Sequence, residues 1–369
     1  MNPRPLRWGI LGTANIARKN WQAIHLSGNG VLTAVASRDA ARAEHFIAEC
    51  QSTVPLPVVP RACGSYEELL TTPDVDAVYV PLPTGVRTEW VVRAARAGKH
   101  VLCEKPCAPS LPDLHLMTSA CQEHGVQFMD GVMFVHSARM AALRAVLKEG
   151  VALGELRRVT SQFSFCGDAA FFSENMRADR HLEPQGCLGD LGWYSLVFTL
   201  EVLGSRLPRA VTARVLNRIG SPADPQPAPP SEFSGELLYD GGVSASFYCS
   251  FLTGNQQWAS VSGSQGHLLL RDFVLPFFGC ESSFEIHKAA FEVSGCHFAM
   301  EPHVRRITVP EYGNNHPTAQ ETRMFREFAR QVASRVLNSE WPERSLNTQR
   351  LLDACLESGR NEGRPVLMA

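Results

Sequence analysis

The chain has 369 residues, of which 44% are hydrophobic and 20% are charged, and its formal net charge is −2. This length favours two domains, and the near-neutral charge excludes a general nucleic-acid-binding surface. No apolar stretch is long enough for a membrane span and the N-terminal residues show no secretory cleavage pattern, so we expect a cytoplasmic protein without a membrane partner.

The first third of the chain alternates short apolar runs with amphipathic stretches of helical spacing. This alternation is typical of right-handed βαβ units that build a parallel sheet covered on both faces. The sequence therefore predicts an α/β fold with an N-terminal, doubly wound Rossmann domain over residues 1–135. The apolar runs predict five strands, at 7–12, 31–37, 75–81, 99–104 and 126–130.

From residue 136 onward the pattern becomes rich in strands that follow one another without long helices between them. We therefore expect a C-terminal α+β domain over residues 136–369 with a large, open, mainly antiparallel sheet. The runs 233–240 and 243–252, separated by Gly241 and Gly242, predict a hairpin. The proline-rich segment 221–230 predicts a surface loop.

Eleven cysteines are scattered without CxxC pairs, and twelve histidines show no HExxH or clustered spacing. In a chain of this length the pattern indicates reduced thiols. It gives no support to a metal site, and we expect none.

A softened dinucleotide fingerprint follows the first predicted strand, in GILGTANIA (9–17). Gly12 permits a tight turn, Ala14 allows the backbone to approach a pyrophosphate, and Ala17 permits close packing of helix on strand. The N–H groups at the start of the helix would bind the anion. The residues predicted to bind the cofactor here are Gly12, Thr13, Ala14, Asn15 and Ile16.

The second strand ends in Ser37 and Arg38, where a dinucleotide-binding protein specific for NAD has a carboxylate. A hydroxyl and a guanidinium suit a 2′-phosphate, and Arg42 follows one helical turn later. We therefore expect NADP(H) in preference to NAD(H). The alternative is that Arg38 is a solvated surface charge.

Two further strand ends border the predicted nucleotide crevice, because ligands of a doubly wound sheet bind beyond the carboxyl ends of its strands. Lys105 is thereby placed near the nicotinamide, where an ammonium can polarise an oxygen or tune a neighbouring acid. A plain ion pair with Glu104 is the alternative. The residues predicted to line the crevice are Pro81, Leu82, Pro83, Glu104, Lys105 and Pro106.

Three motifs, GILGTANIA, VYVPLPTGVRTEW and AGKHVLCEKP, together resemble the Gfo/Idh/MocA family of nicotinamide-dependent oxidoreductases. The resemblance covers essentially the whole chain, and the family's EKP motif is matched by Glu104, Lys105 and Pro106. It implies a Rossmann domain followed by an α/β domain whose open sheet often forms a dimer interface. We therefore expect a homo-oligomer, a dimer or tetramer formed through the C-terminal sheet. Where many members have P-N-x-x-H, this chain has Pro83 to Arg87, so the role of that histidine is in question.

The family's second motif, D-x-G-x-H or its tyrosine form, is matched by GCLGDLGWY, which gives Asp190 and Tyr194. The tyrosine form resembles the dihydrodiol and NADP-dependent xylose dehydrogenase type. It implies that Tyr194 is the acid/base, with Lys105 as its electrostatic partner and Asp190 orienting a substrate hydroxyl. On a helix, Asp190 and Tyr194 at i and i+4 would share one face.

Arg177 and His181 lie shortly before this motif, and a loop that leads into a site is well placed for polar substrate contacts. Both are alternatively ordinary surface residues. The sequence thus predicts an NADP(H)-dependent oxidoreductase acting on a sugar-like polyol, diol or ketone. The alternatives are the same chemistry with NAD(H), and a nucleotide-binding regulator or sensor without turnover.

Overall fold

The structure is a computed structural model that describes residues 4–175, 177, 179–219 and 228–368. It divides into two compact units. The first unit is formed by Met1–His136, Asp179–Pro184 and Asn314–Arg350, and the second by Ser137–Ala178, Gln185–Gly313 and Leu351–Ala369. The first unit thus includes two late segments that the sequence pattern grouped with the C-terminal part. Residues 220–227 of the proline-rich segment lie outside the described residues.

The strands of the described residues fall into two sheets. The first sheet contains β1 (Leu6–Leu11), β2 (Gly30–Ala36), β3 (Arg61–Cys63), β4 (Ala77–Val80), β5 (His100–Cys103) and β6 (Phe128–Asp130). The second contains β7 (Leu156–Cys166), β8 (Ala210–Arg218), β9 (Pro230–Leu238), β10 (Ser244–Ser250), β11 (Leu252–Gly263), β12 (Gly266–Leu270), β13 (Ser282–Ser294), β14 (His297–Val309) and β15 (Val366–Leu367).

The α-helices lie between and after these strands. They are α1 (Asn15–Leu26), α2 (Ala40–Thr53), α3 (Tyr66–Thr71), α4 (Thr84–Arg96), α5 (Leu111–Glu123), α6 (Ala138–Glu149), α7 (Ala169–Glu174), α8 (Trp193–Val202), α9 (Gln320–Ser334) and α10 (Glu340–Arg360). No helix in the described part of the chain is long and apolar enough to cross a membrane.

The first sheet is parallel throughout and has the strand order β3-β2-β1-β4-β5-β6. This is the order of a Rossmann sheet, which confirms the predicted N-terminal fold. The sequence pattern missed β3, because its three residues, RAC, form no apolar run. β4 is buried along its whole length, as expected for a strand covered on both faces.

Helix α9 supplies part of the core of this unit, although it comes from the far end of the chain. Phe325 packs edge-on against Trp8 of β1 at 5.0 Å between ring centroids, and Phe328 lies 5.1 Å from the same ring. All three side chains are buried. This packing explains why residues 314–350 belong to the first unit.

The second sheet is mixed, with the order β14-β13-β12-β11-β7-β10-β9-β8-β15. Most of its pairs are antiparallel, as predicted, and β9 and β10 form the expected hairpin. The pair β7–β10 is parallel, which the pattern of successive strands did not predict. β7 precedes both of its neighbours in the chain and lies between β10 and β11. Because β10 and β11 run in opposite directions, β7 must be parallel to one of them, and this neighbour is β10.

One face of this sheet is packed against helices, and the other is half-exposed. α8 contacts β7 and β10, and α6 contacts β13 and β14. Along β13, Phe284 and Ile286 are buried while the alternate residues Glu285 and His287 are half-exposed. This alternation of period two is that of a sheet with one open face, in agreement with the predicted open sheet.

Candidate active site

The turn after β1 has the geometry of a phosphate-binding turn. Gly12 has a φ of +111°, which favours glycine, and a Cβ at this position would lie 3.0 Å from Cδ2 of Leu82, so a side chain here would also crowd that leucine. Helix α1 begins after Ala14, which provides no side-chain cap, and its first turn contains no acidic residue. Its first N–H groups therefore have no side-chain acceptor there, as an anion-binding helix start requires.

Residues at the end of β2 lie at the sheet edge that carries the Gly12 turn, because β1 and β2 are parallel neighbours. Ser37 is buried and donates its N–H to the carbonyl of Cys63 at 3.2 Å. Arg38 and Arg42 are exposed, and in the described residues neither guanidinium makes an ion pair or side-chain hydrogen bond. Asp39 caps α2 by accepting the N–H of Arg42 at 2.8 Å. Two cationic groups are thus available to a phosphate at this strand end.

Tyr66, the first residue of α3, also faces this region. A Cβ at Gly12 would lie 3.8 Å from its phenol oxygen, and its ring packs edge-on against Trp90 at 4.7 Å. Burial raises the pKa of Tyr66, while the charges of Arg38 and Arg42 act in the opposite direction. Sequence reasoning missed this residue, since a single tyrosine at the start of a short helix is indistinguishable from a core aromatic.

The residues after β4 and β5 lie at the same edge, because these strands are parallel neighbours. Pro81 and Leu82 are buried and Pro83 is half-buried. Lys105 is half-buried and follows directly after the buried Glu104, and Pro106 is buried. The structure therefore brings the predicted crevice residues together at the edge that carries the phosphate-binding turn.

Glu104 directs its carboxylate toward the interior. It accepts the phenol hydrogen of Tyr79 at 2.7 Å and the N–H of Lys105 at 3.2 Å. Burial and the neighbouring carboxylate together raise the pKa of Tyr79 well above its ordinary value. These contacts fix the main chain beside Lys105, a role that the sequence pattern did not indicate for Glu104.

Asp190 lies in an irregular helical segment of the second unit. Residues Leu188–Gly192 form a π-helix that leads into α8 at Trp193. The expectation of one regular helix with α spacing is therefore wrong between Asp190 and Tyr194. Two glycines, Gly189 and Gly192, flank Asp190 and weaken the preference for regular α geometry. π-Turns inside helices occur frequently at functional sites.

Arg177 contacts Asp190 directly. Its Nε donates to Oδ2 of Asp190 at 2.8 Å, and the carboxylate is largely buried. Tyr194 is 6% exposed and packs edge-on against Phe163 of β7 at 5.6 Å between ring centroids. The structure thus joins a residue predicted to bind substrate to one predicted to be catalytic, within the same unit.

His181 belongs to the short segment Asp179–Pro184 of the first unit, and its side chain is exposed. The main chain of this segment packs on the start of α4, where the N–H of Gly85 donates to the carbonyl of Leu182 at 2.9 Å. Glu183 caps the helix by accepting the N–H of Thr84 at 3.1 Å and its hydroxyl at 2.6 Å. The contribution of Glu183 was not apparent from the sequence, because it is 99 residues from its partner.

Among the described residues, no group of three or more histidine, cysteine, aspartate or glutamate side chains is arranged to hold a metal ion. The free cysteines nearest the candidate residues, Cys103, Cys107 and Cys187, are all buried. Burial raises the pKa of Cys107 and Cys187 well above the ordinary value. The thiols of Cys107 and Cys187 therefore lack the low pKa of a nucleophilic cysteine.

Residues 6–132 match the model of an oxidoreductase family described as GFO_IDH_MocA with an NAD-binding Rossmann fold, and residues 140–269 match its C-terminal domain. D-xylose 1-dehydrogenase (NADP(+)) 2 of Haloferax volcanii is 32% identical over 96% of this chain and 97% of its own length. The bovine (Bos taurus) trans-1,2-dihydrobenzene-1,2-diol dehydrogenase is 32% identical over 72% of this chain and 74% of its own.

Solved structures show the same architecture. A 3-ketoreductase from Actinomadura kijaniata, solved with NADP and TDP-benzene, superimposes with a TM-score of 0.78 at 26% identity, covering 96% of this chain and 98% of its own. The aldose-aldose oxidoreductase of Caulobacter crescentus, at 23% identity and a TM-score of 0.79 over 99% and 100% of the two chains, shares the fold. With both domains matched in order, the chain belongs to the Gfo/Idh/MocA family of oxidoreductases, as its sequence motifs predicted.

Proposed function

We propose that this enzyme transfers hydride between NADP(H) and the carbinol or carbonyl carbon of a sugar-like polyol, diol or ketone. One observation supports the proposal most strongly. A phosphate-binding turn at Gly12 and the two exposed guanidinium groups of Arg38 and Arg42 occur together at one sheet edge of a chain from an oxidoreductase family. In this proposal residues 1–135 hold the cofactor, and residues 136–369 provide the substrate and oligomerisation surfaces.

NADP(H) is preferred to NAD(H) because the end of β2 offers cations and no carboxylate to the adenosine ribose. Arg38 and Arg42 would bind the 2′-phosphate, and Ser37 would donate its hydroxyl. The xylose dehydrogenase and ketoreductase relatives, one named for NADP(+) and one solved with NADP, are consistent with this choice. NAD(H) remains the second candidate.

In the proposed chemistry, bound NADPH supplies the hydride and the chain supplies the proton. Tyr194 donates its phenol proton to the carbonyl oxygen, and Lys105 stabilises the phenolate that remains. Asp190, held by Arg177, accepts a hydrogen bond from a substrate hydroxyl and so orients the carbon toward the nicotinamide. In the oxidation direction Tyr194 takes the hydroxyl proton.

A substrate panel tests this function. The purified chain is assayed with NADP+ and D-xylose, other aldoses and a trans-dihydrodiol, and with NADPH and small dicarbonyls. Turnover by the wild type, and a loss of about two orders of magnitude in kcat in Tyr194→Phe with unchanged NADPH affinity, are expected. NADPH binding without turnover on the whole panel would favour the regulator or sensor. Equal turnover by the wild type and Tyr194→Phe would contradict the role of Tyr194.

Cofactor preference is tested by the dissociation constants of NADPH and NADH. We expect Arg38→Ala to weaken NADPH by about tenfold while leaving NADH within twofold, because a charge-assisted contact to phosphate contributes about 1.5 kcal/mol. Arg96→Ala is the control, because Arg96 is an exposed arginine at the C-terminal end of α4. An unchanged NADPH/NADH ratio in Arg38→Ala would contradict the assignment.

The ribbon formed by β13 and β14 supports a homodimer. The part of the ribbon that follows the residues of β13 paired with β12 carries the opposed pairs Phe291–Met300 and Val293–Phe298 on one face. All four of these side chains are more than half exposed. Directly opposed residues share a face, and an isolated two-stranded ribbon is marginally stable in water. We propose that a second copy of this chain covers this face.

Light scattering after size-exclusion chromatography tests the dimer. Wild type is expected at twice the chain mass, and Phe298→Lys at the chain mass, because a buried charge opposes association. Val58→Lys, at an exposed valine of the first unit, is the control and should keep the wild-type mass. A monomeric wild type would contradict the proposal.

A further inference from the structure

The first turn of α4 contains a buried arginine that has no assigned role. Arg87 is 3% exposed, although arginine side chains are rarely buried. Its position is also unfavourable for a cation, since the start of a helix carries the positive end of the helix dipole. The interactions that offset these two costs lie in the loops after β4 and β5.

The guanidinium of Arg87 binds three main-chain carbonyl groups. Nε donates to the carbonyl of Leu82 at 2.6 Å, and Nη1 donates to the carbonyl of Glu104 at 2.7 Å and to that of Pro106. A rigid fork of donors is suited to several fixed acceptors at once, whereas an ammonium is a single point of attachment. Arg87 thus links the loop after β4 to the loop after β5.

These contacts surround Lys105. The peptide group between Glu104 and Lys105 has its oxygen bound by Arg87 and its N–H bound by the Glu104 carboxylate at 3.2 Å. That carboxylate is in turn held by the phenol of Tyr79 at 2.7 Å. On the other side of Lys105, the carbonyl of Pro106 is bound by Arg87 and, at 3.4 Å, by the hydroxyl of Thr84. The main chain is therefore held by buried groups on both sides of Lys105.

We propose that Arg87 is a positioning residue for Lys105. It fixes the main chain from which the ammonium projects, so that the charge is held in the constant place that its proposed role requires. This inference rests on the proposed role of Lys105 and extends it. The hydrogen bonds that the Arg87 guanidinium makes among the described residues go to main-chain oxygens, so its proposed role involves no proton transfer and no substrate contact.

Kinetics of the full chain test the proposal, with the panel substrate of highest kcat/KM. We expect Arg87→Met to lower kcat by about 10- to 100-fold, because a displacement of about 1 Å in a catalytic group costs a factor of that order. Arg87→Lys should retain part of this activity. The dissociation constant of NADPH should stay within about twofold, and Arg96→Met, on the same helix but exposed, should match the wild type.

The pH dependence separates positioning from general stability. An ammonium lowers the pKa of a neighbouring acid, so a displaced Lys105 moves the limb of the kcat profile that reports the tyrosine to higher pH. Lys105→Met gives the reference shift. The same direction of shift in Arg87→Met supports the proposal, and a lower kcat with an unchanged profile overturns it, because a partly unfolded sample loses amplitude alone.

Hydrogen exchange supplies a readout that needs no turnover. In Arg87→Met and Arg87→Lys with NADPH bound, exchange should rise in peptides covering residues 103–108 and stay unchanged in those covering 9–17. Unchanged exchange at 103–108 would overturn the inference whatever the activity. A wild type without turnover on any panel substrate, or a fully active Lys105→Met, would instead overturn the proposed function, while the exchange data still decide whether Arg87 holds the loop.

Discussion

Two helices of the first unit begin at the same edge of the parallel sheet, and they differ in whether the protein itself supplies acceptors for their first N–H groups. α1 follows the Gly12 turn without a side-chain cap. α4 receives the Glu183 carboxylate, and the next N–H, that of Gly85, donates to the carbonyl of Leu182. Since every helix leaves its first N–H groups without partners, one start is available to a ligand and the other is occupied by the protein itself.

The difference shows how this fold assigns tasks to equivalent positions. At α1, the N–H groups without a side-chain cap and the nearby arginines suit an anion that comes from solution. At α4, the protein supplies the anion, and the buried Arg87 turns the helix start into an attachment point for the loop that carries Lys105. Changes at α1 should therefore affect cofactor affinity, and changes at α4 should affect stability and turnover.

The largest expected effect is on the occupied helix start, in Gly85→Ala. A Cβ at this position would overlap the carbonyl oxygen of His181, which is main chain and cannot rotate away. We expect the free energy of unfolding in urea to fall by about 3 kcal/mol, the upper part of the range for overpacked sites. Gly254→Ala is the control, because a Cβ there meets no atom within 4 Å. Equal stability of wild type and Gly85→Ala would mean that 179–184 does not pack on α4.

The next effect is on the open helix start, in Gly12→Ala. The left-handed φ and the short approach to Leu82 strain any side chain here, and strain of this kind costs about 1–3 kcal/mol. We expect NADPH affinity to fall by about 10- to 100-fold, measured by nucleotide fluorescence. Gly28→Ala, also at a positive φ but with no atom within 4 Å, should keep the wild-type affinity. Similar losses in both variants would show that backbone strain acts through general stability.

Sequence reasoning captured the open helix start and not the occupied one. Gly12, Ala14 and Ala17 are close together in the chain, and their spacing expresses a local turn, so a local pattern is enough to find them. The cap from Glu183 to Thr84 spans 99 residues, and the bonds from Arg87 join separate loops. Contacts of this kind depend on the tertiary fold and leave no period in the sequence.

The same distinction applies to the fold. The long strands and helices of the Rossmann half were predicted from periodicity, whereas the three-residue β3, the long exposed ribbon of β13 and β14, and the return of α9 to the first unit were not. Near Asp190 the motif predicted a regular α-helix, and the local geometry differs, because two glycines permit a π-turn there. Pattern arguments therefore describe the geometry of an irregular helical segment poorly.

The smallest expected effect comes from removing the charge that occupies the α4 start. Glu183→Gln keeps an oxygen that can accept the N–H of Thr84, but it loses the favourable interaction of a carboxylate with the helix dipole and the second oxygen, which accepts the Thr84 hydroxyl. We expect a loss of about 1 kcal/mol in the local opening free energy of α4, measured as about fivefold faster hydrogen exchange in peptides that cover its first turn. Glu89→Gln, an exposed glutamate on the same helix, should leave that exchange unchanged. Glu183→Gln could instead leave the exchange of the first turn of α4 unchanged and alter the affinity for NADPH. The contrast between an occupied and an open helix start would then be wrong, because the start of α4 would be the one that responds to the ligand.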